Sequence, residues 1–322
     1  MGTPSVTLPG GLRVVRVENG GVRSGGPELV GPGAPCWIDL APTPENLAWL
    51  AATFHFHPLA LEDCAHEDQR TKFEQYPDYL FTVVHRITPA ADESAFATRE
   101  LQAFLTQEVL VTVHSAPIPE IEAVQQRCLI EPELLRRGPD FALYLLHDAL
   151  TDLHFALVDD LTDEVEGIAA TALEVGTSQP VAELIALARR KHAVLRRRLS
   201  PQREVFAALA RPGVGLVREQ TAVYFRDVVD HVVRITEEVD MGRDLLSSAM
   251  ETWLSGTNNR LSLVTTRLTL IATIFLPLNF VAGFFGMNLE ILPKEAAVPL
   301  VVGVMVVLPV VMFVFFRRKR WI

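Results

Sequence analysis

Apolar and polar positions follow three rhythms along this chain. Up to about residue 135 they alternate in short runs. Leu12–Val17, Cys36–Leu40 (CWIDL) and Tyr79–Ile87 (YLFTVVHRI) read as strands. Glu100–Leu105 and Val109–His114 read as a hairpin turning on Thr106-Gln107-Glu108. Between them Thr43-Pro44-Glu45 predicts a helix through about Phe54, with Thr43 as N-cap and Pro44 at the first helical position. The stretch 57–68 (HPLALEDCAHED) predicts a second, shorter helix. Strands mixed with helices indicate an α/β domain.

From Asp140 the period becomes helical. One helix is expected to about Glu174, a turn at Gly176–Pro180, and a second helix over Val181–Arg211 with a kink at Pro201. From Gly213 to Leu276 there is no proline. Val228, Val232, Ile235, Val239, Leu246, Met250 and Trp253 recur there at helical steps. This predicts a single helix of about 70 residues, ~105 Å long. A lone helix of that length is implausible, so it is expected to associate with copies of itself.

The third rhythm is unbroken hydrophobicity. Leu268–Leu289 carries no charge, and as a helix it reaches ~33 Å, enough to cross a bilayer. A second uncharged run, Ala296–Phe316, follows a short loop of net charge −1 holding Glu290, Lys294 and Glu295. Arg317-Arg318-Lys319-Arg320-Trp321 then places four cations and an interfacial aromatic on the cytoplasmic side. Two spans return the chain to the side it left, so both termini are expected in the cytoplasm, at the cell (inner or plasma) membrane. The expected division is an α/β cytoplasmic domain (1–135), a helical region with the long stalk (136–262), a first transmembrane helix (263–288), an outer loop (289–295), a second transmembrane helix (296–316) and a basic tail (317–322).

Composition sharpens this picture. Hydrophobic residues make up 49% of the chain, and the excess lies in the two terminal runs. A net charge of −10 argues against nucleic acid as partner and suits cations. Cys36, Cys64 and Cys128 are few and scattered, as in a reducing compartment. The N-terminus lacks the basic-then-apolar pattern of a signal peptide.

Polar and small residues on the first span form one helical stripe: Ser262, Thr265, Thr269, Leu276, Asn279 and Gly283. Such a stripe serves either helix packing or a wet lumen. Asn279 favours the lumen, because an amide deep in a span needs a polar partner or water. His55 and His57 form an HxH that suits capping or packing as well as metal. His147 and His154 are expected to be structural. Neither a nucleophile–base arrangement nor a phosphate-binding glycine loop stands out, so an enzyme is not expected, and no cofactor is implied.

The string LTLIATIFLPLNFVAGFFGMN, the short loop with Pro293, the second apolar span and the basic tail resemble the CorA family of divalent-cation transporters, within the superfamily that also holds zinc-transporting members. HPLALED (57–63), QRTKFEQYPDYLF (69–81) and VYFRDVVDH (223–231) are similar to segments of that family's cytoplasmic domain. The resemblance implies a funnel-shaped homopentamer whose first spans line a pore. It implies Gly286, Met287 and Asn288 as the outer selectivity filter. Asn279 would be a polar pore position, Leu276 and Leu268 apolar constrictions, Thr265 a ring below them and Glu251 an acidic ring at the inner mouth. Glu62, Asp63 and Asp227 would bind regulatory divalent ions between subunits. The cargo would be Mg2+, with Co2+ and Ni2+ as further substrates, driven by the membrane potential and gated by cytoplasmic ions.

Three departures from the family pattern stand out: Thr265-Thr266 just before the span, Asn279 where threonine is usual, and Lys294 in the outer loop. A Zn2+ transporter of the same superfamily, with or without coupling to protons, is the close alternative. A non-conducting membrane-anchored metal sensor is the more distant one.

Overall fold

The computed structural model describes residues 12–18, 21–90, 96–174, 180–287 and 294–319, with the side chains of 286, 287 and 294–298 left aside. The chain divides into two units, 1–249 and 250–322.

In the first unit, period-two alternation makes a sheet that is apolar on both faces. Its strands are β1 (Arg13–Glu18), β2 (Gly21–Gly25), β3 (Cys36–Leu40), β4 (Lys72–Gln75), β5 (Leu80–Pro89), β6 (Phe96–Leu105) and β7 (Val109–Val113). They are ordered β2-β1-β3-β7-β6-β5-β4. Every pairing is antiparallel except β3 with β7, where Trp37 stands opposite Leu110 and Ile38 opposite Val111. Consecutive residues of one strand therefore serve different cores. Cys36, Ile38, Phe81, Val83, Phe104 and Val111 pack with Leu50, Leu61 and Cys64 of α1 (Pro44–Phe54) and α2 (Pro58–Ala65). Trp37, Leu80, Val84, Leu101 and Leu110 face the opposite layer.

That layer is built from α3 (Pro119–Ile130), α4 (Pro132–Arg136), α5 (Pro139–Leu173), α6 (Val181–Leu209) and the start of α7 (Glu219–Met287). Beyond the sheet, Leu157, Leu161, Leu195, Leu199, Ile235 and Val239 close a smaller core among α5, α6 and α7. The residues at 228, 232, 235, 239 and 246 of α7 are all buried, as their spacing requires. The local signals behave as expected. Thr43 Oγ1 accepts from the Asn46 N–H at 3.2 Å, and Pro44 opens α1. Most of the turn expected at Gly176–Pro180 lies outside the described residues.

Two histidines of α5 lie within this core. His154 Nε2 accepts from the Ile87 N–H at 3.2 Å, joining helix to sheet. His147 lies against Phe206 and Phe225. Burial pushes both imidazoles down to about 3, so they fold as neutral groups. In α6, His192 lies beneath Gly242 of α7, where an added Cβ would come within 2.4 Å of Nε2. Glycine is required there by a close approach of two helices.

The second unit holds the rest of α7 and α8 (Lys294–Arg318). Among the described residues, three helices are long and apolar enough to cross a membrane: α5, α7 and α8. Burial separates them, for 61% of the most apolar stretch of α5 is buried, against 6% for those of α7 and α8. Of the residues in this unit whose burial is described, Leu270 and Phe316 are the two that are buried. An apolar surface this extensive, on helices whose backbone groups bond within the helix, suits a bilayer and not water.

Candidate ion-sensing and ion-conduction sites

The helix α2 starts where His57 caps it, its Nδ1 accepting from the Leu59 N–H at 3.2 Å. His55 ends α1 in the left-handed region, at φ 56°. The two histidines of the HxH thus act as caps. Between the caps, α2 presents Glu62 to solvent and leaves Asp63 half-buried. Asp63 Oδ2 accepts from Lys72 Nζ at 2.5 Å, and the same ammonium reaches Glu74 Oε1 at 2.9 Å. Glu74 also accepts from the Tyr76 hydroxyl at 2.9 Å. Burial lowers the Lys72 pKa, but hydrogen bonds to Asp63 and Glu74 outweigh it and leave the ammonium above its ordinary value. Burial, followed by the Glu74 hydrogen bond, pushes Tyr76 up to about 12.

Asp227 stands exposed on α7, with His231 Nε2 3.9 Å from its Oδ2. Asp148 and Asp152 of α5 belong to the same electrostatic neighbourhood. Burial first, and the Asp152 charge next, hold the Asp148 carboxyl above its ordinary value, with Asp227 adding to the rise and His231 opposing it. Sequence reasoning missed Lys72, Asp148 and Asp152. Among the described residues, no three His, Cys, Asp or Glu side chains of one chain are placed to hold a metal ion. The cysteines offer no ligand either: all three are buried and free, and burial raises the Cys36 thiol to about 12 and Cys128 to about 11.

The candidates for ion conduction lie along α7. Glu251, Thr265, Leu268, Leu276 and Asn279 are all exposed, Leu268 at 67% and Leu276 at 76%. At helical pitch they fall within an arc of ~100°. Thr269 Oγ1 donates to the Thr265 carbonyl at 2.9 Å, and Thr273 Oγ1 to the Thr269 carbonyl at 2.7 Å. These hydroxyls are satisfied within their own helix. Pro277 stands inside α7 and has no N–H to give the Thr273 carbonyl. The backbones of Gly286 and Met287 end the helix. Their side chains, and Asn288 entirely, lie outside the described residues.

A family model described as "CorA-like Mg2+ transporter protein" matches residues 33–318. This chain belongs to the CorA-like family. The cobalt/magnesium transport protein CorA of Thermotoga maritima is 33% identical over 273 residues, covering 84% of this chain and 78% of that protein. The zinc transport protein ZntB of Yersinia enterocolitica is 26% identical over 282 residues, covering 85% of this chain and 83% of that protein. The solved CorA magnesium transporter of Methanocaldococcus jannaschii shares the fold, with a TM-score of 0.83 at 22% identity, covering 96% of this chain and 98% of that one. As a CorA-like protein this chain is a divalent-cation transporter of membranes and not an enzyme; divalent cations are its cargo.

Proposed function

We propose that this CorA-like chain is a homopentameric channel for Mg2+, with Co2+ and Ni2+ as further substrates. The observation that carries the choice of ion is its 33% identity to a cobalt/magnesium transport protein, against 26% to a zinc transport protein. In this reading the first unit is cytoplasmic, α7 and α8 supply two spans, and both termini face the cytoplasm. The bare apolar surface of the second unit supports this, since lipid and neighbouring copies would cover it.

Five copies of α7 would line the pore. Mg2+ gives up its water reluctantly. A ring of Asn288 amide oxygens accepts hydrogen bonds from those waters without stripping them, and Gly286 and Met287 complete that outer filter. Asn279 offers a polar station below it. Leu276 and Leu268 form constrictions that gate by dewetting. Thr265 and Glu251 continue the stripe to the inner mouth. A doubly charged ion gains ~4.6 kcal/mol per 100 mV on entering a negative interior.

Glu62, Asp63 and Asp227 would hold regulatory ions. No single chain gathers three ligands among the described residues, which supports sites shared between neighbouring subunits. Bound ions there offset the repulsion between acidic subunits and keep the pore closed; ion depletion releases it.

The deciding experiment is ion flux into proteoliposomes under an imposed potential, comparing Mg2+, Co2+, Ni2+ and Zn2+ with and without a pH gradient. Potential-driven Mg2+ entry is expected. Proton-stimulated Zn2+ flux without Mg2+ flux would replace this reading with the zinc one, which the 26% identity to a zinc transport protein keeps in view.

A further inference from the structure

Away from the ion path, the first unit holds a cationic pocket of about 650 Å3 between the segment entering β4 and the middle of α6. Asp68, Arg70, Thr71, Arg197, Arg198 and Pro201 line it. Three guanidiniums facing one carboxylate are out of character for a chain of net charge −10.

The arginines are not consumed by ion pairs. Arg196, next in sequence, is engaged by Asp240 at 2.8 Å, but neither Arg70 nor Arg197 forms an ion pair among the described residues. Arg198 Nη2 lies 3.7 Å from Asp68 Oδ1, and the Asp68 side chain is 94% exposed, so this pair is loose and at the rim. The Arg198 Nε–H is buried and has no acceptor among the described residues.

Thr71 is poised in the same sense. Arg198 Nη1 lies 3.3 Å from His85 Nε2, and since a guanidinium only donates, that contact goes with the tautomer carrying its hydrogen on Nδ1; Glu100 Oε1 stands 3.8 Å from the same Nε2. In that tautomer Nδ1 donates to Thr71 Oγ1, 2.9 Å away. The threonine hydroxyl accepts from His85 and keeps its own hydrogen for a further acceptor. Asp68, at φ 72°, turns the chain in the left-handed region two residues before Arg70.

We propose that this pocket binds a phosphate-bearing small molecule, with Arg70, Arg197 and Arg198 on the phosphate oxygens and Thr71 donating to them. Guanidinium forks match phosphate geometry, and the surplus of two positive charges matches a dianion. The volume is that of a small-molecule site, roomy enough for a phosphate carried on an organic body. The pocket also has a route outward. The residue before Arg197 holds Asp240 of α7, and one turn earlier His192 packs under Gly242. A ligand seated here therefore bears on the α6–α7 contact.

The test is calorimetric titration of the full chain in neutral detergent with inorganic phosphate, pyrophosphate and AMP, at constant free Mg2+ so that chelation is not read as binding. We expect saturable binding of at least one probe at one site per chain. Arg70→Glu or Arg197→Glu weakens it by about tenfold or more. Arg203→Glu, an exposed charge on the same helix outside the pocket, changes it less than about twofold. Unaltered thermal unfolding of these variants excludes misfolding, and Thr71→Val serves as a charge-neutral second variant expected to weaken binding. The proposal is overturned by an absence of saturation up to about 10 mM. Equal weakening in Arg203→Glu, or binding to anionic vesicles but to none of the soluble probes, also overturns it.

Discussion

Lys72 Nζ lies 2.5 Å from Asp63 Oδ2, so an acid assigned to ion sensing already carries its own cation. Any divalent ion approaching Asp63 has to share it with, or displace, an ammonium that also holds Glu74 at 2.9 Å. If Asp63 is an ion ligand as proposed, the lysine sets a threshold for its occupancy. Lys72→Gln is expected to lower the Mg2+ concentration that protects the cytoplasmic region from protease by about tenfold, or ~1.4 kcal/mol. Asp63→Asn shifts it the other way. An unchanged midpoint in both would remove Asp63 from the ligand set.

In the proposed reading, the acids around Asp227 are expected to make any stabilisation by Mg2+ depend on pH. The folded pKa of Asp148 is raised by burial and by Asp152, so the folded state favours its protonated form. That contribution to stability is present below the unfolded pKa and lost as pH rises through the raised folded value. At neutral pH Asp148, Asp152 and Asp227 repel, and a nearby divalent ion relieves the repulsion. The rise in Tm produced by Mg2+ is therefore expected to be largest at neutral pH and to shrink as Asp148 protonates. Asp148→Asn raises Tm without Mg2+ at neutral pH and flattens the dependence. A Mg2+ effect that is constant with pH would count against this account.

The contact of α6 with α7 depends on one missing methyl group. An alanine at 242 places its Cβ 2.4 Å from His192 Nε2, and that ring is held by a hydrogen bond between Nδ1 and the Ala188 carbonyl at 2.8 Å. Gly242→Ala is expected to destabilise the first unit by ~1–3 kcal/mol. Gly167→Ala, in α5 with nothing within 4 Å, stabilises by ~0.5–1 kcal/mol. Thermal or urea unfolding of the pair checks both signs.

Two amides of the proposed pore separate selection from conduction. Asn288→Ala is expected to abolish Mg2+ flux while leaving assembly intact. Asn279→Leu, which adds an apolar ring beside Leu276, lowers flux by about tenfold or more without changing the order of ion preference. Flux surviving in Asn288→Ala sinks the filter assignment, and altered ion order in Asn279→Leu moves selection inward.

What the sequence revealed was local or long-ranged in period. CWIDL forms β3 over the expected residues because its alternation feeds two cores. The Thr43 cap and the stalk periodicity depend on a few neighbouring residues. The edge strands β2 (GVRSG) and β4 (KFEQ) went unseen because a strand paired on one side keeps charge and glycine, which erase alternation. The helix α3 went unseen because its buried stripe is thin: Ile121, Val124, Gln125 and Cys128. At the candidate sites, Glu62, Asp63 and Asp227 are proposed through resemblance to a family. Lys72 reaches Asp63 of α2 from strand β4, and Asp148 of α5 nears Asp227 of α7, so only the folded chain brings them together.

The burial of α5 has a consequence for how this protein is made. A segment apolar enough for a bilayer emerges from the ribosome well before α7 and α8, and membrane insertion machinery reads local hydrophobicity. Two solvents compete for it: lipid, and the face of its own β-sheet. Asp148, Asp152, Asp159, Asp160 and Asp163 tilt the choice, since an aspartate near the centre of a span costs ~2.5–3.5 kcal/mol. Trp37, Leu80 and Leu110 share one buried core with α5 and give it the apolar partner that lipid would otherwise supply. A lesion in that sheet face would do more than loosen a core; it would leave a correctly targeted chain free to thread the membrane with the wrong helix.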